Sequence, residues 1–182
     1  MRTFDVTATL ASFLLMVVWI PLDLEIAAGL ALLAGIAFPL LFSNRTILAF
    51  DSGGVMVHGD FFTEVQKLDP KMFELVRNLK RDHKVLLLTN QNEIAMGAMN
   101  RHYGFDKIFD GQVVSGKIGA KKPDPRYFDY VTRKFHVHPR DLVFVDDTAE
   151  NVDSAKKLGI RAIRFENYPK LVNDLRHQGI GV

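Results

Sequence analysis

From Thr46 onward the chain alternates between two hydrophobic periods. Short unbroken apolar runs, ILAF (47–50), VLLL (85–88), LVFV (142–145) and the shorter RAIRF (161–165), read as strands buried on both faces. Between them lie PKMFELVRNLKRDH (70–83), EIAMGAMNRHYG (93–104), PDPRYFDYVTRKF (123–135) and ENVDSAKKLG (150–159), in which apolar positions recur at helical spacing. A regular βα rhythm predicts an α/β fold: a parallel sheet covered by helices on both faces, in three layers. In open sheets of this kind ligands gather beyond the carboxyl ends of the strands, so candidate chemistry is sought there.

Residues 1–43 follow another pattern. VTATLASFLLMVVWI (6–20) and IAAGLALLAGIAFPLLF (26–42) are uncharged and are separated by the turn-like PLDLE. This predicts an apolar α-helical hairpin, each run near the short end of the ~17–25 residues a membrane helix needs. Arg2 and Arg45 flank the pair, only acids lie in the turn, and Trp19 stands at the turn end, so a membrane anchor with both termini cytoplasmic is expected. Ala27, Ala31 and Gly35 repeat at four-residue spacing and suit a close contact with Ala8 and Ser12. A soluble helical pair packed on the domain, or on a second copy in a homo-oligomer, is the alternative. A secretory signal fits less well, because no small-residue cleavage site follows Ile20 and a second apolar run comes at once. The expected domains are therefore 1–43, the hairpin, and 44–182, the α/β unit.

Composition narrows the function. With 182 residues there is room for one domain and an appendage, and the absence of cysteine excludes disulfides and thiolate zinc sites. A net charge of +2 gives no footprint for nucleic acid.

The strand ends carry the candidate chemistry. ILAF delivers Asp51, followed by Ser52, Gly53 and Gly54; VLLL delivers Thr89 and Asn90; LVFV delivers Asp146 and Asp147; and the loop GAKKPDP offers Lys122. One aspartate before two glycines is commonly only a turn residue. Polar groups at three strand ends together with a lysine point instead to a convergent site. Adjacent carboxylates stay ionised only if a cation holds them, and Mg2+ with oxygen ligands suits that need. A carboxylate nucleophile, a neutralising lysine and a hydroxyl for phosphoryl oxygens outline aspartyl phosphoryl transfer.

FDSGGV, LLLTN, KKPDP and FVDDTAENV occur in the order of the four motifs of the haloacid dehalogenase (HAD) superfamily, and from Ile47 to Phe165 the chain resembles its phosphatase-like subfamily I/IA members. The resemblance implies a Rossmannoid fold and a magnesium-dependent phosphomonoesterase acting on a phosphorylated small molecule or macromolecule. It makes Asp51 the nucleophile and a metal ligand, the Gly53 carbonyl and Asp147 further ligands, and Asp146 and Asn151 supports of the metal shell. Thr89 and the Asn90 amide would hold phosphate oxygens, beside the loop of Ser52, Gly53 and Gly54, and Lys122 would bridge Asp51 and the phosphate.

Two departures from the family pattern matter. The second aspartate usual two positions after the nucleophile is Gly53 here, leaving His58 and Asp60 as candidates to replace a general acid. A scaffold or regulator that binds magnesium and phosphate, or a partner protein, is the alternative function. The span between Asp51 and Thr89 is too short for the usual helical cap, so no cap domain is expected. Because only Ser43–Arg45 join the hairpin to the first strand, the site is expected to face the cytosol, away from the bilayer. His136 and His138 have HxH spacing but precede LVFV, at the wrong end of the strand for this site.

Overall fold

Parallel pairing around a central strand organises the computed structural model, which describes residues 46–59 and 67–182. In chain order come β1 (Ile47–Phe50), a small antiparallel pair β2 (Val57–His58) and β3 (Lys67–Leu68), α1 (Pro70–Leu79), β4 (Lys84–Thr89), α2 (Glu93–Tyr103) and α3 (Phe105–Ile108). They are followed by β5 (Gly111–Val114), α4 (Ser115–Ile118), α5 (Pro125–Phe135), a 3-10 turn (Pro139–Asp141), β6 (Leu142–Asp146), α6 (Ala149–Lys157), β7 (Arg161–Arg164) and α7 (Tyr168–His177). The main sheet has the order β5-β4-β1-β6-β7, and every neighbouring pair in it is parallel.

The alternation of side chains along β1 sorts the core into two layers. Leu48 and Phe50 pack with Met72, Val76 and Leu79 of α1, Met96 and Met99 of α2, and Leu171 and Leu175 of α7. Ile47 and Ala49 face the other way, against Tyr127, Phe128 and Val131 of α5 and Val152 and Ala155 of α6. Each fully buried large side chain contributes roughly 1.5–3 kcal/mol. The sheet is thus anchored from both faces, which fixes the strand ends.

Register then sets the site. Phe50 pairs with Leu87 on β4 and with Val145 on β6. One step further along the three strands lie Asp51, Leu88 and Asp146, side by side at the carboxyl edge. Asp51 N–H donates to Val145 O at 2.9 Å, so the ladder continues to the aspartate itself.

The sequence pattern missed β5, whose GQVV begins with a glycine and a polar glutamine, both half-buried at the sheet edge, and α7. It also carried the first soluble helix to His83, whereas α1 stops at Leu79. There the chain turns into β4: Lys80 Nζ donates to Ile108 O at 2.7 Å, and His83 Nδ1 lies 3.2 Å from Thr46 O. The expected hairpin over 1–43, and Asp60, lie outside the described residues. Among the described residues no helix is long and apolar enough to cross a membrane.

Candidate active site

Lys122 occupies the centre of the carboxyl edge, with its side chain 1% exposed. Its Nζ donates to Asp51 Oδ1 at 2.6 Å, to Asp146 Oδ2 at 2.7 Å and to Leu88 O at 2.8 Å. These acceptors are the row that the strand register lines up, so three adjacent parallel strands make a socket for one amine. All three ammonium protons are thereby engaged with the protein. The lysine thus joins Asp51 to Asp146.

Burial raises the Asp51 carboxyl from 3.8 to about 6, against the opposing pull of Lys122; the Asp146 carboxylate adds a further raising push. Asp146 is fully buried. Its Oδ1 accepts from Thr148 N at 2.9 Å and Asn151 Nδ2 at 3.0 Å, and its Oδ2 accepts from Lys122 and from Asn151 Nδ2 at 3.1 Å. Three donors thus hold its two oxygens, with Asn151 Nδ2 spanning both. Asp146 and Asn151 therefore orient Lys122.

Asp51, Asp146 and Asp147 each bring a carboxylate oxygen within 4.8 Å of the others. Asp146 is the most heavily hydrogen-bonded of the three, whereas Asp51 Oδ2 and the Asp147 carboxylate are less engaged. Such hard oxygen donors suit a magnesium ion, which takes one or two carboxylates and keeps several waters.

The glycines after Asp51 differ in purpose. Gly54 has φ +74°, and a Cβ there would overlap Asp147 Oδ2. Gly53 is open: a Cβ built on it meets no atom within 4 Å. Gly54→Ala is expected to displace the Asp147 carboxylate and weaken Mg2+ binding at least about tenfold, on top of a backbone strain of order 1 kcal/mol. Gly53→Ala should leave affinity unchanged. Titration calorimetry checks both, and equal affinities for the two variants would show that Asp147 does not hold the ion.

Thr89 and Ser52 are both buried, with their hydroxyl oxygens 2.6 Å apart. Beneath them Tyr127 donates its hydroxyl proton to Val113 O at 2.7 Å, and burial holds that phenol well above its ordinary range. Asn90 uses its side chain in a way the sequence did not signal: Nδ2 donates to Lys122 O at 2.8 Å and Oδ1 accepts from Lys122 N at 2.9 Å. No spacing rule connects these positions, since the contact depends on how the 119–124 loop returns to β4.

His58 stays outside the constellation. Its ring is half exposed and lies 3.4 Å from Asp69, which caps α1 by accepting from Lys71 N and Met72 N. His136 terminates α5 in the left-handed region at φ 51°, and His138 caps the 3-10 turn that leads into β6. Both belong to the amino edge, opposite the site.

Residues 45–159 match the haloacid dehalogenase-like hydrolase family. Among curated proteins the chain is similar to a D-ribitol-5-phosphate phosphatase of Bacteroides thetaiotaomicron, 30% identical over 113 residues, covering 59% of this chain and 53% of the relative. It is also similar to the sesquiterpene phosphatase astK of Aspergillus oryzae, 32% identical over 110 residues, with 59% and 56% covered. The chain thus spans about half the length of these curated relatives. A crystal structure of a HAD family enzyme from Bacteroides thetaiotaomicron, in complex with magnesium and inorganic phosphate, shares the fold: TM-score 0.63, 18% identity, covering 69% of this chain and 98% of that one.

Proposed function

Because the chain belongs to the haloacid dehalogenase-like hydrolases, we propose that it is a magnesium-dependent phosphomonoesterase with Asp51 as nucleophile. The observation that carries the reading is the row Asp51–Lys122–Asp146 with Asp147 beside it, a buried carboxylate held by an amine at the mouth of an otherwise acidic edge.

In this reading Asp51 and Asp147, with the Gly53 carbonyl, hold Mg2+. When bound, the ion supplies the positive charge that lets a phosphate dianion approach two carboxylates. Lys122 fixes Asp51 Oδ1 and leaves Oδ2 to attack phosphorus. The bond from phosphorus to the ester oxygen breaks, the leaving alkoxide takes a proton from water, and the phosphoryl group rests on Asp51. Thr89 and the loop of Ser52 to Gly54 receive the phosphoryl oxygens. Water then attacks the acyl phosphate, releasing inorganic phosphate and restoring the carboxylate. The phosphatase relatives favour a phosphorylated small molecule as substrate.

Residues 1–43 remain in the proposal as a membrane anchor, on the strength of their apolar pattern and flanking charges. One preparation tests both parts. Full-length protein should stay with membranes through an alkaline carbonate wash, and after detergent extraction it should hydrolyse p-nitrophenyl phosphate with Mg2+ and stop in EDTA. Release by carbonate would end the anchor reading. No hydrolysis in Mg2+ above that of Asp51→Asn, with the protein folded, would end the phosphatase reading and leave a scaffold.

A further inference from the structure

We propose that Asn90 is a positioning residue for Lys122, gripping both peptide groups of the lysine with one side-chain amide. Sequence separates the two residues by 32 positions, yet donor meets acceptor on each side, at 2.8 and 2.9 Å. The amine of the same lysine is held to the same strand by Leu88 O, also at 2.8 Å. The carboxyl end of β4 therefore holds Lys122 at both extremities, the backbone through Asn90 and the amine through Leu88.

The grip is mounted on a fixed support. Asn90 stands between Thr89, the last residue of β4, and Gln91, whose carbonyl accepts from both Ser115 Oγ and Gly116 N at 3.1 Å. On the far side of the lysine, Pro123 O accepts from Ser154 Oγ of α6. That tie holds the proline and leaves the Lys122 peptide groups to Asn90.

A lysine stem has four rotors and carries about 2 kcal/mol of rotamer entropy, so where its amine arrives depends on where its Cα begins. Lys122 must satisfy three acceptors within 2.6–2.8 Å. A displacement of about 1 Å in such a constellation can cost 10²-fold in rate without altering what the substrate touches. Asn90 thus acts on turnover through Lys122 and Asp51, a role separate from the phosphate contact that its backbone amide has in the phosphatase reading.

The proposal rests on that reading, and the test separates the two. Asn90→Ala and Asn90→Asp are made in the full chain, with Asp51→Asn as the control for Asp51-dependent turnover of p-nitrophenyl phosphate. Asn90→Ala is expected to lower kcat by about 10- to 100-fold per folded molecule with KM within about threefold. Asn90→Asp keeps the acceptor for Lys122 N–H but sets an oxygen against Lys122 O, so its kcat should also fall below that of the parent. If Asn90→Ala does not fold, the aspartate variant decides. Hydrogen exchange gives a readout independent of activity: the Lys122 amide should exchange faster in Asn90→Ala while the amides of β4 stay protected. Unchanged kcat per folded molecule in both variants, or unchanged exchange at Lys122, overturns the assignment. Absence of Asp51-dependent turnover in the parent protein instead removes the phosphatase reading, and the exchange result alone then decides the grip.

Discussion

Asp51→Asn is expected to abolish magnesium-dependent phosphate release and, in the same protein, to raise stability at neutral pH in the absence of metal. In the proposed reading Asp51 is the nucleophile, and its loss removes the covalent route altogether, so the rate should fall by more than about 10⁴-fold. The stability gain follows from the burial that lifts the carboxyl from 3.8 to about 6. Below pH ~3.8 the group is protonated in both folded and unfolded chains and contributes nothing. Between the two values the folded chain keeps a proton that the unfolded chain has lost, so stability falls as pH rises. Above about 6 the folded state carries the full cost of a buried charge, roughly 3 kcal/mol for a shift of this size. Asparagine has nearly the same shape, still accepts from Lys122 and carries no charge to desolvate. The metal-free variant should therefore be more stable than the parent by roughly 1–3 kcal/mol at pH 7.5, with the difference vanishing below about pH 4. Denaturant unfolding at the two pH values checks this. A variant that is less stable at pH 7.5 would mean that attraction to Lys122 outweighs burial, and that the site is built as an ion pair first.

The contrast between a dead variant and a stabilised one expresses how the site is arranged. One amine serves two buried carboxylates, Asp51 and Asp146, which leaves the edge short of positive charge. A fold that needed only stability would gain by losing one acid. Keeping both leaves a deficit that a divalent cation and a phosphate can complete together.

Much of this was legible in the chain itself. ILAF, VLLL and LVFV are apolar on both faces, and their terminal residues Asp51, Thr89 and Asp146 could be assigned to one edge because parallel strands end in step. The edge strand GQVV was not legible, because its polar and glycine positions carry no period and it gains its place only by pairing with β4. The partners of Lys122 were half legible. Asp51 followed from charge, whereas Leu88 O is a backbone group that every residue possesses, and its use depends on register. The grip of Asn90 on the Lys122 backbone depends on the return path of a loop, which local propensity does not encode. Gly54 could be recognised as a turn glycine, but its second purpose, making room for Asp147, arises only where the folded chain brings β6 beside it.

Gly53→Asp is the substitution expected to increase activity. The described site has no group free to hand a proton to a leaving alcohol: Lys122 has given its three protons to the protein, Asp146 accepts from three donors, and His58 leans on Asp69. Alcohols leave poorly without that proton, and general acid help is typically worth about 10²- to 10⁴-fold. Position 53 can take the residue, since its Cβ direction is empty to 4 Å and its φ lies outside the positive range found at Gly54. The new carboxyl would stand near Asp51 and Asp147, and that negative field favours its protonated form, as an acid requires. Alkyl phosphates should therefore gain about 10²-fold or more in kcat, while p-nitrophenyl phosphate, whose leaving group needs little help, should gain far less. A series of phosphates with leaving groups of graded acidity makes the comparison: the dependence of rate on leaving-group pKa should be steep in the parent and flat in the variant. If the parent is already flat, a proton donor sits among the residues outside the described set, with Asp60 the first to replace. If the parent is steep and the variant remains so, the new side chain does not reach the ester oxygen, and the selectivity of this enzyme for good leaving groups is fixed by more than one position.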